Sequence, residues 1–147
     1  MSEPEMSERT LAAPDETRSL GRELAAQLRA GDVVVLVGPM GAGKTTLTRG
    51  LAEALGVQGR VQSPSFVIVH THPAADGGLA LAHVDAQRLG DHAEFEALEL
   101  EDALAAGVVV VEWGEGHVEG LGTRTLTVRI EPDWASDVRR VSWEWAG

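Results

Sequence analysis

Two unbroken apolar runs stand out in the hydrophobic pattern of the chain. Val33 to Val37 is β-branched apart from Leu36, and Val108 to Val111 is pure valine. Strands that are buried on both faces of a parallel sheet have such runs, because neither face meets water. The pattern therefore predicts two central strands of an α/β domain.

The spacing of leucine predicts helices around these strands. Asp15 to Ala30 and Lys44 to Leu55 each carry leucines four residues apart, and Gly31 and Gly56 follow them as helix-ending residues. Glu94 to Ala106 is predicted to be mostly helical.

The remaining strand signals are shorter. Phe66 to His70 and Leu79 to Asp85 are predicted strands. Thr125 to Ile130 and Val138 to Trp145 alternate apolar and polar residues on either side of the turn from Glu131 to Asp137. These signals predict a mainly parallel central sheet flanked by helices, with a C-terminal antiparallel hairpin at its edge.

Composition favours one domain and excludes some function classes. Residues 1–13 are acidic at their start and lack an apolar core, so we predict a disordered lead-in before a single domain at 14–147. No apolar stretch reaches the length of about 18 residues that a membrane span needs. The chain has no cysteine for disulfides, thiolate catalysis or cysteine-bound zinc. We therefore expect a cytoplasmic protein without membrane contact.

The charge of the chain argues against direct binding of nucleic acid. The sequence has 12 basic and 23 acidic residues, which give a net charge of -11. Affinity for nucleic acid comes largely from Lys and Arg that neutralise phosphates. Any action on nucleic acid is therefore expected to run through a partner.

One segment matches a known phosphate-binding pattern at every required position. Gly38-Pro39-Met40-Gly41-Ala42-Gly43-Lys44-Thr45 fits G-x-x-x-x-G-K-[ST], between a predicted strand and a predicted helix. Glycines let successive backbone N–H groups face phosphate oxygens, and the start of the helix adds its positive dipole end. The segment predicts a P-loop NTPase-like fold that binds a nucleotide. The predicted nucleotide-binding residues are Gly38, Met40, Gly41, Ala42, Gly43, Lys44, Thr45 and Thr46.

Two side chains of this segment have distinct predicted tasks. Lys44 is the only lysine in the chain, beside eleven arginines, and a compact ammonium suits the β- and γ-phosphates better than a planar guanidinium. The hydroxyl of Thr45 is a predicted ligand of Mg²⁺. The chain has no asparagine and no second lysine, so the Asn-Lys-x-Asp segment of Ras-type guanine-specific proteins is excluded. ATP or ADP with Mg²⁺ is therefore the predicted ligand.

Two acidic residues follow predicted strands. Asp85 closes Leu79 to Asp85, and Glu112 follows Val108 to Val111. Because ligands of open α/β sheets lie beyond the carboxyl ends of the strands, both are candidates for holding Mg²⁺ or activating water. Position alone does not separate these roles from that of an acid facing solvent.

Other motifs have ordinary structural explanations beside the functional ones. Ser63-Pro64-Ser65-Phe66 fits a γ-phosphate sensor or a simple turn. His70 and His72 share one strand face, as metal ligands would, but no third ligand is placed and structural histidines are the favoured interpretation. Trp143 and Trp145 share a face of the last strand and are predicted to pack.

The order of these segments resembles the TsaE family, the small bacterial ATPases of tRNA threonylcarbamoyladenosine biosynthesis. The resemblance covers about Thr17 to Val141. The segments that carry it are Gly38 to Thr45, Ser63 to Phe66, His83-Val84-Asp85-Ala86-Gln87-Arg88-Leu89, Leu98 to Asp102 and Glu112-Trp113-Gly114-Glu115.

The resemblance implies roles for several residues. Ser63 to Phe66 would be a switch near the γ-phosphate, and Asp85 and Glu112 would be the metal-site carboxylates. Thr17 would lie near the adenine, and Arg139 or Arg140 would approach the nucleotide.

The resemblance also implies partners. TsaB-like and TsaD-like proteins would carry threonylcarbamoyl transfer to tRNA, and ATP hydrolysis by this chain would support repeated turnover. The chain departs from the family pattern at Ser65, Gln87, Glu99 and Gly114, and Gln87 is expected to affect partner docking more than ATP chemistry.

Three functions are therefore compared. The favoured one is an ATPase subunit of a tRNA-modifying assembly, with Lys44, Asp85 and Glu112 as catalytic residues. The alternatives are a small-molecule or nucleoside kinase, which an acidic Gly90 to Gly107 segment without an arginine cluster disfavours, and a nucleotide-binding regulatory module with negligible turnover.

Overall fold

The computed structural model of the protein describes residues 6–39, 42–57, 69–73, 78–85, 100–112 and 121–146. These ranges contain seven strands and three helices. The strands are β1 (Met6–Leu11), β2 (Asp32–Val37), β3 (Val69–His72), β4 (Ala80–Asp85), β5 (Gly107–Glu112), β6 (Arg124–Pro132) and β7 (Arg139–Ala146), and the helices are α1 (Pro14–Ala25), α2 (Lys44–Leu55) and α3 (Glu101–Ala106).

All seven strands join one sheet in the order β1-β7-β6-β2-β5-β4-β3. The four strands at its centre, β6, β2, β5 and β4, run parallel to one another. The strands outside them, β3 on one side and β7 and β1 on the other, pair antiparallel. The predicted mixed α/β architecture with a parallel centre is confirmed.

Strand β2 explains why the valine run is unbroken. Val34 and Leu36 pack in the core on the side of α1 and α2, whereas Val33 and Val35 pack with Leu104 of α3 on the other side. These four side chains are buried, because helices cover both faces of the sheet. The predicted two-sided burial of this strand is confirmed.

Helices α1 and α2 pack closely through two glycines. A side chain at Gly21 would collide with the Leu47 carbonyl, and one at Gly50 would collide with the Arg18 carbonyl. Only hydrogen at these positions lets the two backbones approach. The contact brings the first turn of α1 to the start of α2.

Of the two helix ends that were predicted next to a glycine, that of α2 is confirmed, whereas α1 ends earlier than predicted. Helix α2 ends at Leu55, and Gly56 follows with a φ of 76°, as predicted. Helix α1 ends at Ala25 rather than at Ala30. Beyond it the amides of Gln27 and Leu28 donate to carbonyls three residues back, so a tighter turn replaces the α-helix while Leu28 stays buried.

The prediction of a disordered lead-in over residues 1–13 is wrong for Met6–Leu11. These residues form β1, which pairs with β7. Residues 7–10 are exposed, and Leu11 is buried in the core. An outermost strand with so little burial lacks the apolar alternation by which strands are recognised.

The C-terminal hairpin has the predicted antiparallel pairing, but it does not lie at the edge of the sheet. Strands β6 and β7 pair as predicted, and β1 covers the outer side of β7. None of the helices in the described part of the chain has the length and apolar character that a membrane span requires.

Candidate functional site

The candidate site lies where β2, β4 and β5 reach their carboxyl ends. Glu112 of β5 lies between Leu36 of β2 and Asp85 of β4 in the register of the sheet. Helix α2 starts at Lys44, only a few residues beyond the end of β2. Strand ends and a helix start therefore meet at one edge of the sheet, where α/β proteins bind ligands.

The loop between β2 and α2 has the close packing that its glycines predict. A side chain on Gly38 would come within 2.8 Å of the Ile130 carbonyl oxygen. Gly43 has a φ of 112°, in the left-handed region, and stands at the N-cap position of α2. As a glycine it offers no side chain to cap the first N–H groups of this helix. Met40 and Gly41 lie outside the described residues.

Lys44 and Glu112 meet at this helix start. The Lys44 ammonium lies 3.4 Å from Oε1 of Glu112, and both side chains are more than 90% buried. The predicted cation of the phosphate loop and a predicted catalytic carboxylate are therefore direct neighbours. They lie 68 positions apart in the sequence (112 − 44).

His83 is a member of this cluster that sequence reasoning did not select. Its Nε2 lies 2.6 Å from Oε2 of Glu112, and its side chain is fully buried. The strand spacing contained a signal, since His83 and Asp85 lie two residues apart and so share a face of β4. Leu81 lies on the same face of β4 and packs in the core on the side of α1 and α2.

The two neighbours of Glu112 keep it ionised. Burial of the carboxyl raises its pKa, but the hydrogen bond from His83 and the positive charge of Lys44 lower it by more, so the pKa of Glu112 lies below its ordinary value of 4.5. At neutral pH the group is a carboxylate that can accept a proton or bind a cation.

The predicted ligands of a metal ion lie beside this cluster. Asp85 is half-buried at the end of β4, directly opposite Glu112 in the register, and Thr45 is half-buried in the first turn of α2, followed by Thr46. Among the described residues no three His, Cys, Asp or Glu side chains form a metal-binding group. Hydroxyl and carboxylate oxygens suit Mg²⁺, which in nucleotide sites uses one or two carboxylates and the phosphates.

Thr17 and Arg139 reach the loop from other elements. The methyl group of buried Thr17 lies 3.7 Å from the position of a Cβ on Gly43. Nε of Arg139 donates to the Ala42 carbonyl over 3.0 Å. The structure thus brings Arg139 to the loop, whereas Arg140 is exposed and pairs with Glu8.

Several predicted features lie outside the described residues or away from the loop. The described residues do not include the segments at 63–66, 87–89, 98–99 and 113–115. Trp143 and Trp145 pack against the core, as predicted.

Comparisons with known proteins agree on one family. Residues 11–141 match the family model "Threonylcarbamoyl adenosine biosynthesis protein TsaE". The tRNA threonylcarbamoyladenosine biosynthesis protein TsaE of Streptomyces coelicolor is 55% identical over 129 residues, which cover 85% of this chain and 87% of that protein. The protein of the same name from Mycobacterium tuberculosis is 48% identical over 143 residues, which cover 92% and 85%.

A solved structure shares the fold. The crystal structure of YdiB from Bacillus subtilis superposes with a TM-score of 0.76 at 32% sequence identity and covers 100% of this chain and 90% of that chain. The similarity therefore extends over the whole sheet and its helices.

Proposed function

This chain belongs to the TsaE family, which takes part in tRNA threonylcarbamoyladenosine biosynthesis, and from that premise we propose that it binds ATP with Mg²⁺ and hydrolyses it to ADP and phosphate. In this proposal the domain is a P-loop NTPase-like ATPase. The hydrolysis supports threonylcarbamoyl transfer to tRNA in the cytoplasm.

The observation that carries the proposal is the contact between Lys44 and Glu112. A lysine at the start of a helix and a carboxylate at the end of a buried strand converge within 3.4 Å. Phosphoryl transfer requires this combination, a cation for the phosphates and an acid for water or metal. An ordinary surface ion pair would not be buried at the carboxyl edge of a parallel sheet.

Each residue has a task in the proposed reaction. The Lys44 ammonium binds the β- and γ-phosphates together with the backbone N–H groups of Gly38 and of residues 40–46. The ionised Glu112 orients the attacking water and accepts its proton. Thr45, Asp85 and Glu112 would hold Mg²⁺, which when bound offsets the negative charge of the phosphates. Thr17 and Arg139 hold the loop and the nucleotide from the sides.

The net charge of -11 bears on the partners. A chain this acidic is a poor ligand for a phosphate backbone. We therefore propose that TsaB-like and TsaD-like proteins hold the tRNA, and that this chain acts on it only through them.

The proposal is tested with Lys44→Ala and a matched variant, Arg22→Ala. Both remove one positive charge, but Arg22 lies on α1 and pairs with Glu53 at the surface. We expect Lys44→Ala to weaken ATP binding roughly 10- to 100-fold, the loss of a hydrogen bond to a charged group, and to abolish hydrolysis. Arg22→Ala should retain both. Calorimetry with Mg²⁺ and ATP measures binding, and phosphate release, alone and with TsaB-like and TsaD-like proteins, measures turnover.

Three outcomes would contradict the proposal. Unchanged turnover in Lys44→Ala would show that hydrolysis does not need the central residue of the proposal. Phosphate that appears on an added acceptor instead of in water would favour a kinase. Binding of ATP without phosphate release, even with both partners present, would favour a regulatory module.

A further inference from the structure

His83 is a buried polar side chain to which the proposed reaction assigns no task. It lies on β4 opposite Val110 of β5, and none of its side chain is exposed. Leu81, on the same face of β4, and Val110 both belong to the apolar core. An imidazole in such surroundings costs stability unless it makes hydrogen bonds, so the histidine needs a specific partner.

That partner is Glu112. The distance of 2.6 Å between Nε2 and Oε2 is that of a short, charge-assisted hydrogen bond. Since an ionised carboxylate can only accept, Nε2 must carry the proton and donate it. Nδ1 is buried and has no hydrogen-bond partner among the described residues. The geometry therefore assigns a ring with its proton on Nε2.

This hydrogen bond gives the two carboxylate oxygens of Glu112 different partners. Oε2 is engaged by His83, whereas Oε1 lies toward Lys44 at 3.4 Å. A free glutamate side chain would have to lose its rotational freedom during the reaction. With Oε2 anchored in the core, the carboxylate plane is already fixed before ATP arrives.

We infer that His83 is a positioning residue that anchors Oε2 of Glu112, so that Glu112 acts on water or metal through Oε1. The inference rests on the proposed ATP hydrolysis. The inference adds to the proposed hydrolysis a residue that contacts neither ATP nor water and acts only through Glu112.

Two substitutions separate positioning from packing. His83→Gln places an amide N–H near the position of Nε2 and retains a donor for Glu112. His83→Leu is apolar and has no donor. If Leu at this position prevents folding, His83→Asn replaces it in the comparison, because its amide is too short to reach Glu112.

The measurements are kcat for ATP hydrolysis, ATP affinity by calorimetry and the melting temperature. We expect His83→Leu to lower kcat roughly 10- to 100-fold, the usual effect of losing the group that orients a functional ligand, with ATP affinity unchanged. His83→Gln should recover most of the lost kcat. If His83 were purely structural, its replacement would change the melting temperature but would not lower kcat selectively while leaving ATP affinity unchanged.

Nitrogen-15 NMR of the histidine rings tests the same inference without any ATP. We expect His83 to carry its proton on Nε2 in the wild-type protein. This result does not depend on ATPase activity. A wild type that fails to hydrolyse ATP would therefore overturn the proposed function and, with it, the catalytic part of the inference, while the NMR result decides the anchoring separately.

Three results would overturn the inference. They are wild-type kcat in His83→Leu, an equal loss of kcat in folded His83→Gln and in the variant without a donor, and a ring proton found on Nδ1 instead of Nε2.

Discussion

The two ends of strand β2 each lie beside a buried acid–base cluster, and the clusters are built differently. At the amino end, Asp32 accepts hydrogen bonds from Nε and Nη2 of Arg124 at 3.0 and 2.7 Å and from the Arg29 amide at 2.8 Å. At the carboxyl end, Glu112 has His83 at 2.6 Å and Lys44 at 3.4 Å. The first carboxylate is held by a two-pronged arginine, the second by a short histidine contact and a longer lysine contact.

Under the proposed function, burial serves stability at the amino end and chemistry at the carboxyl end. The Arg124 guanidinium also donates to the Gln27 carbonyl and lies 4.2 Å from the centre of the Trp145 ring, so the protein holds the pair through several contacts. The Lys44 ammonium belongs to the segment that is proposed to bind phosphate. Its distance of 3.4 Å from Glu112 is long for a hydrogen bond, which suits a cation that exchanges a carboxylate for phosphate oxygens.

Asp32→Asn should have the largest effect, and it should act on stability alone. Removing one charge from a buried pair leaves Arg124 uncompensated, which costs about 3 kcal/mol in the free energy of unfolding. Urea denaturation measures this loss. Turnover per folded molecule should equal that of the wild type, and a drop in kcat at full folding would show that the amino-end cluster also contributes to the site.

Glu112→Gln makes the same carboxylate-to-amide change at the other end of β2, and it should act on turnover. The amide cannot accept the proton of water, so we expect kcat to fall roughly 100-fold. The loss of unfolding free energy should be smaller than for Asp32→Asn, since the amide oxygen can still accept from His83. A lowered stability with normal kcat would reverse the assignment of the two clusters.

Arg139→Ala should have the smallest effect of the three. It removes the hydrogen bond from Nε to the Ala42 carbonyl, worth about 1 kcal/mol, so ATP binding measured by calorimetry should weaken about tenfold or less. Arg140→Ala is the matched control, because Arg140 is exposed and pairs with Glu8. Equal weakening in both variants would mean that net charge, not contact with the loop, sets the affinity.

The parts of the fold that could be predicted from sequence are those in which burial leaves a local pattern. Strands β2 and β5 are apolar at nearly every position because both faces are covered, and the end of α2 is marked by Gly56. Strand β1 could not be predicted, since an exposed outer strand is specified by its partner β7 and not by its own residues.

The same distinction applies to the site. The residues proposed to bind phosphate are contiguous, so the motif predicts them directly. The contact of His83 with Glu112 depends on the register of β4 against β5, and that of Thr17 with Gly43 depends on the crossing of α1 and α2 at Gly21 and Gly50. No local pattern encodes either contact.

The pairing of β1 with β7 has a consequence for the order of events during biosynthesis. Met6 faces Glu144, so the ribosome must add more than a hundred residues after β1 before its partner exists, on the order of ten seconds at ordinary elongation rates. In that interval β1 is a nascent segment with unpaired backbone groups. During this interval the polar residues at 7–10 protect β1 from aggregation, because charged and hydroxyl side chains discourage association with other newly made chains.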